Sequence, residues 1–311
     1  MRPAVTIAAA VLLQACGGDF DPPPPAQAPP LPSNAAPVTA SQFDFAGMPR
    51  RILPLVEISL HTMQLLSDAA GRLQRHRPFV GPIDYFCAND GGIRLRAFDT
   101  DRNDSITVGD SIIIEYIACE GRTGSITLQV ANAIIDGQEV TFLEGEVDSR
   151  LAAGSGGIRA AGSLQFQVIP PERRWLGTEW TARTDFLAPN DQIENARIDK
   201  ILSSADGRYV VQCMGIYELG TGAFVFETAP AFGGTEEHWP AAGGRLLIHG
   251  RDASRAAIRA RGTDYIGWRV DEDGDGIFDA PEKRDTWRFY SEGSLFGIEG
   301  PRLLPPLPPE P

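Results

Sequence analysis

The chain has 311 residues, 42% hydrophobic and 22% charged, with a net charge of −13 at neutral pH. That length can bury a real core, as one large or two medium domains. The acidic excess argues against a nucleic-acid partner and against holding an anionic membrane by charge alone, because both need a basic face. Four histidines argue against a histidine-dense metal site.

The chain opens MRPAVTIAAAVLLQAC, with one cation, Arg2, and an apolar run from Ala4 to Leu13. A run of about ten residues is too short to span a bilayer and suits the core of a signal peptide. LQAC, Leu13 to Cys16, resembles the lipobox of bacterial lipoproteins. The resemblance implies removal of residues 1–15, lipid on Cys16 and a membrane anchor in the bacterial cell envelope. Gly17 carries no aspartate-type retention signal, which points to the outer membrane, on its periplasmic or surface face. Two or more acyl chains make such an anchor stable. Residues 16–50 are proline-dense and lack apolar periodicity, so they read as an extended tether of polyproline II character. Residues 301–311, PRLLPPLPPEP, read as a disordered tail of similar composition.

The region between them, 51–300, is expected to hold the fold. Val56, Leu60, Met63, Leu66, Ala70 and Leu73 recur at helical spacing and predict an amphipathic helix over 52–77. Pro54 lies near its start and Pro78 just past its end. From Ile83 onward the apolar pattern alternates in short runs broken by Gly, Asn, Asp and Pro, among them IRLRAF, SIIIEYIAC and YIGWRV. This predicts a mainly β protein of antiparallel sheets, as a sandwich or an open barrel, with one N-terminal helix. Residues 83–170 and 207–291 each run strands, acidic loop, strands. Two similar halves, or one continuous sheet with two similar hairpins, both fit that pattern.

The acidic loops carry the clearest chemistry. Hard cations take several oxygen ligands at alternating positions around a sharp turn. In DEDGDGIFDAPE, residues 271–282, the spacing reads as an EF-hand loop. Asp271, Asp273 and Asp275 supply carboxylates, and Ile277 a backbone carbonyl. Asp279 contacts the ion directly or through water, Glu282 closes the site, and Gly276 makes the turn. In DTDRNDSITVGD, residues 99–110, the same places fall on Asp99, Asp101, Asn103, Ser105 (by its carbonyl), Thr107 and Asp110. This loop resembles that of dockerin modules, which also close with Asp. It departs from the pattern at Asp104, where glycine is usual, although Asp tolerates left-handed backbone. Calcium is the expected ion, acting as a structural clip: without it the carboxylates repel, and with it the turn between two strands is fixed.

With Cys16 lipidated, Cys87, Cys119 and Cys213 remain. An oxidising compartment favours pairing, and Cys87 and Cys119 flank the first acidic loop, so a bridge is expected between them. Cys213 reads as a buried small hydrophobe. The stretch 85–119, YFCANDGGIRLRAFDTDRNDSITVGDSIIIEYIAC, resembles uncharacterised proteobacterial envelope lipoproteins in its Cys, Gly-Gly, acidic loop, Gly-Asp and second Cys. Residues 243–287, which run through DEDGDG to TW, are similar to the C-terminal part of the same proteins. The resemblance implies location and fold and brings no catalytic residue.

No G-x-S-x-G, H-E-x-x-H, P-loop or dinucleotide fingerprint is present. EEHWP, residues 236–240, reads as an exposed turn, with a small polar site as the alternative. The chain is therefore expected to be a lipid-anchored envelope protein with a binding or structural role. It would be stiffened by calcium and a disulfide and would meet an envelope protein or a glycan. Alternatives are an accessory subunit of an envelope assembly or secretion machine, and a glycan or peptide hydrolase.

Overall fold

The computed structural model describes residues 28–43, 47–77, 79, 81–87, 91–153, 156–185, 191–235, 242–262, 265–286 and 307. One long helix, α1 (Pro49–Arg75, 27 residues), begins three residues before its expected start. Proline at its first turn suits a position with no intrahelical N–H bond to lose, and Pro54 falls in the second turn. The expected stripe is buried, from Val56 through Leu73. So are Leu55, Ile58, Leu65 and Ala69, which lie off that stripe. The helix is enclosed on more than one side, and its buried hydroxyls are satisfied internally: Ser59 Oγ donates to the Leu55 carbonyl at 2.7 Å and Thr62 Oγ1 to that of Ile58 at 2.8 Å.

A single antiparallel sheet encloses it. Its strands are β1 (Ile83–Phe86), β2 (Gly92–Phe98), β3 (Ser111–Cys119), β4 (Arg122–Asp136), β5 (Glu139–Ala153), β6 (Gly156–Ile169), β7 (Glu172–Thr184) and β8 (Gln192–Ser203). They continue as β9 (Arg208–Leu219), β10 (Gly222–Thr228), β11 (Phe232–Thr235), β12 (Arg245–His249), β13 (Arg255–Arg261), β14 (Tyr265–Asp271) and β15 (Lys283–Thr286). Each strand pairs with its neighbour in sequence, except that β11 pairs back onto β9 and β10 passes directly to β12. The path runs from β1 to β15 without closing, so this is an open, curled sheet and not two stacked sheets. The two similar stretches of the sequence are segments of this one sheet.

The curl has local causes. Extra residues interrupt the register in β3, β4, β5, β7 and β8, and such bulges bend strands. Glycine sets the closest approaches. Gly162, at φ +147, faces Trp180, and a Cβ there would lie 2.9 Å from the indole. Gly177 lets α1 down onto β7: a Cβ on it would lie 3.0 Å from Met63 Sδ. Trp180 and Met63 are fully buried at this contact.

The N-terminal arm corrects the expected extent of the tether. Val38, Phe43 and Met48 are buried, Ala35 bridges Ala223 of β10, and the Val38 amide donates to Ser254 Oγ at 2.7 Å. Isolated apolar side chains among the prolines are enough to dock this stretch. In the tail, Leu307 is buried in the same core. The lipobox residues lie outside the described residues.

Cys87 and Cys119 are bonded, with Cα atoms 5.5 Å apart and a sequence separation of 32. The bridge ties β1 to the end of β3 and is worth roughly 3–4 kcal/mol on loop entropy. Gly162→Ala is expected to lower unfolding free energy by about 1–3 kcal/mol through overpacking against Trp180. Urea denaturation would measure that loss, with Gly207→Ala as a control for left-handed glycine in open space.

Candidate metal centres

The two acidic loops fold alike. In the first, Asp99 Oδ1 accepts from the Arg102 amide at 2.6 Å, and its Oδ2 from the Asp104 amide at 2.8 Å. In the second, Asp271 Oδ1 accepts from Gly274 at 2.9 Å and Oδ2 from Gly276 at 3.1 Å. The Asn103 amide donates to Asp101 at 3.2 Å, and Asp275 to Asp273 at 3.2 Å. The Ser105 amide donates to Asn103 Oδ1 at 2.7 Å, and Ile277 to Asp275 Oδ1 at 2.7 Å. Position for position, the hydrogen bonds coincide.

The backbone agrees. The fourth and sixth residues of each loop are left-handed: Arg102 (φ 60) and Asp104 (φ 57) in one, Gly274 (φ 72) and Gly276 (φ 92) in the other. Asp104 therefore takes the conformation that glycine takes in its counterpart, as Asp can at modest cost. Ligand oxygens of Asp99, Asp101 and Asp110 lie within 4.8 Å of one another, as do those of Asp271, Asp273 and Asp275. Each cluster could hold a metal ion.

The loops differ at their closing residue. Asp110 is buried and joins its cluster, with Oδ1 held by the Thr100 amide at 2.8 Å and Oδ2 by the Thr107 amide at 2.7 Å. Thr107 Oγ1 is 3.3 Å from Asp101 Oδ2, so the ninth position also faces the site. Glu282 instead turns away from Asp271, across Gly267, to Arg261, with Arg284 Nε at 3.3 Å. The Arg261 guanidinium holds the Glu282 carboxyl below its usual range. Asp279 Oδ2 accepts from the Glu272 amide at 2.5 Å, and Asp271 pairs with Arg255 Nε at 3.0 Å. The loop with the fuller sequence pattern thus has its closing carboxylate diverted, and the loop with Asp at the glycine position is the more complete. For Asp99, burial raises the pKa, but the amides of Asp104 and Arg102 outweigh it and the net shift is downward.

Each loop also grips something distant in sequence. Ile106 of the first is 1% exposed, and its amide donates to Gln74 Oε1 at the C-terminal end of α1 at 3.2 Å. In the second, Glu272 accepts from the Ala40 amide of the N-terminal arm, and Gly274 abuts the Asp252–Ala253 turn.

Other candidates fall differently. Cys213 is fully buried, and burial pushes its thiol up to about 12, so it supplies no thiolate near neutral pH. His249 faces Glu227 at 3.2 Å on the outer sheet face; His76 caps α1 and is exposed. EEHWP lies outside the described residues. A cleft of about 510 Å³ between α1 and β5–β7 is lined by Ser67, Arg72, Val140, Phe166, Arg173 and Trp175, among others. Burial, and then the neighbouring Glu218, raise the pKa of Glu194, but Glu194 does not line this cleft. Beside the cleft, buried Lys200 lies 5.7 Å from the Trp175 ring and 5.6 Å from that of Tyr209. Its inward parity between Ile198 and Leu202 was the one sequence signal for it.

No family model matches the chain, and no curated protein or solved structure matches it. Ile106→Ala is expected to cost about 2–5 kcal/mol and to loosen the last turn of α1. Hydrogen exchange at Leu73–Arg75 reads the second effect: protection there should fall more than in the first turns of the helix.

Proposed function

We propose that this is a lipid-anchored protein of the bacterial envelope with a binding or structural role, whose fold is locked by calcium at two acidic loops. The hydrogen-bond scheme shared by 99–110 and 271–282 carries the calcium reading. Loops with little sequence in common adopt one geometry that leaves three carboxylates converging in each. Calcium suits them because it takes six to eight oxygens in flexible geometry, where magnesium demands near-ideal octahedra. The anchor reading rests on the lipobox-like LQAC at Cys16, and the disulfide fits an oxidising compartment. An envelope protein or glycan is the partner class this placement offers.

In this reading calcium acts on the architecture. At loop 99–110 it would fix the β2–β3 hairpin against the end of α1, and at loop 271–282 the β14–β15 hairpin against the N-terminal arm. Loops of this kind outside the cytoplasm bind with Kd on the order of 10⁻⁴–10⁻³ M. A site at ten times its Kd adds about 1.4 kcal/mol to stability.

Thermal unfolding in millimolar calcium against excess EDTA tests this. The melting temperature should rise with calcium, in part with Asp101→Ala or Asp273→Ala alone, and not at all with both. An unchanged melting temperature for the wild-type chain would sink the calcium reading. A second prediction concerns Glu282: Arg261→Gln should free it to close loop 271–282 and raise calcium affinity there several-fold. Isothermal titration in the Asp101→Ala background would isolate that site. A weakened or unchanged affinity would mean that Glu282 belongs to the arginines alone.

A further inference from the structure

The last four strands concentrate positive charge in an acidic protein. β12, β13, β14 and β15 hold 5, 7, 7 and 4 residues, 23 together, and contain six arginines and Lys283 against two acids, Asp271 and Asp285. Seven of the chain's 28 cationic residues therefore fall in 23 positions, in a molecule of net charge −13.

Register places all six arginines on one face. Arg245 lies opposite Arg259, Arg259 opposite Gly267, and Gly267 opposite Arg284. Alternation along β13 and β14 adds Arg255, Arg261 and Arg269 to that face. The opposite face holds Leu246, Ile248, Ile258, Ile266 and Trp268, all buried in the core. Lys283, opposite Trp268, is on the core side's parity, so the outer face presents arginine and no lysine.

Among the described residues the face is short of counter-charge. Asp271 takes Arg255, while Glu282 is shared by Arg261, Arg284 and, at 4.0 Å, Arg269. Glu227, at the β10 margin, faces His249. That leaves Arg245 and Arg259. Arg245 Nε donates to the Ala229 carbonyl at 2.6 Å, which is a neutral partner. Arg259 has no hydrogen bond or ion pair among the described residues. Like charges directly opposite on neighbouring strands are destabilising. Burial first, and then the neighbouring Arg259 and Arg255, lower the pKa of Arg245. Glu282 lies over Gly267, the partner of Arg259, but its ion pairs go to Arg261, Arg284 and Arg269.

We propose that the outer face of β12–β15, centred on Arg245 and Arg259, binds a multivalent oxyanion: a small molecule bearing two or more phosphate or carboxylate groups. The planar guanidinium fork matches such groups with paired hydrogen bonds, which a lysine cannot do. Neighbouring strands lie about 4.8 Å apart and alternate residues along a strand about 6.7 Å apart. One ligand can therefore engage Arg245 and Arg259 with one anionic group and Arg284 or Arg255 with another. The ligand supplies the counter-charge that the face lacks among the described residues.

Isothermal titration of the full chain at low ionic strength tests this with sodium tripolyphosphate, and separately with citrate to tell phosphate from carboxylate. The expected result is saturable binding of at least one, weakened by added salt. Arg245→Gln with Arg259→Gln should weaken it tenfold or more. In anion-free buffer that double variant should melt above the parent, since the repulsion is gone. Arg94→Gln with Arg150→Gln makes the same charge change on β2 and β5 and should leave binding intact. The proposal is overturned if neither anion binds, if the control pair loses as much as the central pair, or if the central double variant melts below the parent. Binding to phosphatidylglycerol vesicles with neither small anion bound would also overturn it, and would give the face to a membrane surface.

Discussion

The structure depends on enclosing one helix. α1 buries apolar side chains around most of its circumference, so a flat sheet against one side would leave Leu55, Ile58 or Leu65 in water. At roughly 2 kcal/mol for each large apolar side chain, exposing all three would cost about 6 kcal/mol, a large share of the margin on which folded proteins survive. A sheet that curls around the helix removes the problem, and the irregularities of the strands follow from it. Bulges in β3, β4, β5, β7 and β8 bend them, and Gly162 and Gly177 give up side chains where Trp180 and Met63 need the room. Long hairpins built from sequence neighbours let the chain wrap the helix without crossing itself.

A curled sheet that does not close has ends to secure. The disulfide ties β1 to β3 at one of them. The acidic loops lie near opposite ends, one between β2 and β3, the other between β14 and β15. Each reaches beyond its own hairpin, to Gln74 on α1 or to Ala40 on the arm. In each loop three carboxylates converge, held by amide donors of the loop itself. A cation held between the carboxylates would tie each loop into a fixed corner.

Much of this was legible in the sequence, for reasons that differ by feature. The helical spacing of Val56 to Leu73 and the alternation of strands such as SIIIEYIAC come from burial on one face, which leaves a period in the chain. The turn chemistry of both loops was legible because left-handed backbone restricts residue type, and Asp104 met that restriction as Asp can. The Cys87–Cys119 bridge followed from their places at strand ends. What was hidden depends on contacts between distant segments. One sheet or two is decided by where bulges let the strands bend, and Arg122 to Asp136 carries no pattern that announces its bulges. The docking of the arm turns on partners distant in sequence: Ala223 of β10 beside Ala35, and Ser254, which accepts from the Val38 amide. Glu282 reads as a ligand by spacing alone; the arginines that capture it come from β13 and β15 and meet it only once the register is set. The arginine face was present as alternation in RAAIRAR, and it gains meaning only when Arg245 falls opposite Arg259.

If enclosure of α1 is the organising interaction, the helix and the strands around it must open together. Native-state hydrogen exchange under increasing denaturant measures this residue by residue. The account predicts that amides of α1 from Val56 to Leu73 share one opening free energy and one denaturant dependence with the central amides of β4 to β8. A helix that exchanges through a smaller, separate opening while β4 to β8 stay protected would contradict it, and would make the sheet, not the enclosed helix, the unit that holds the fold.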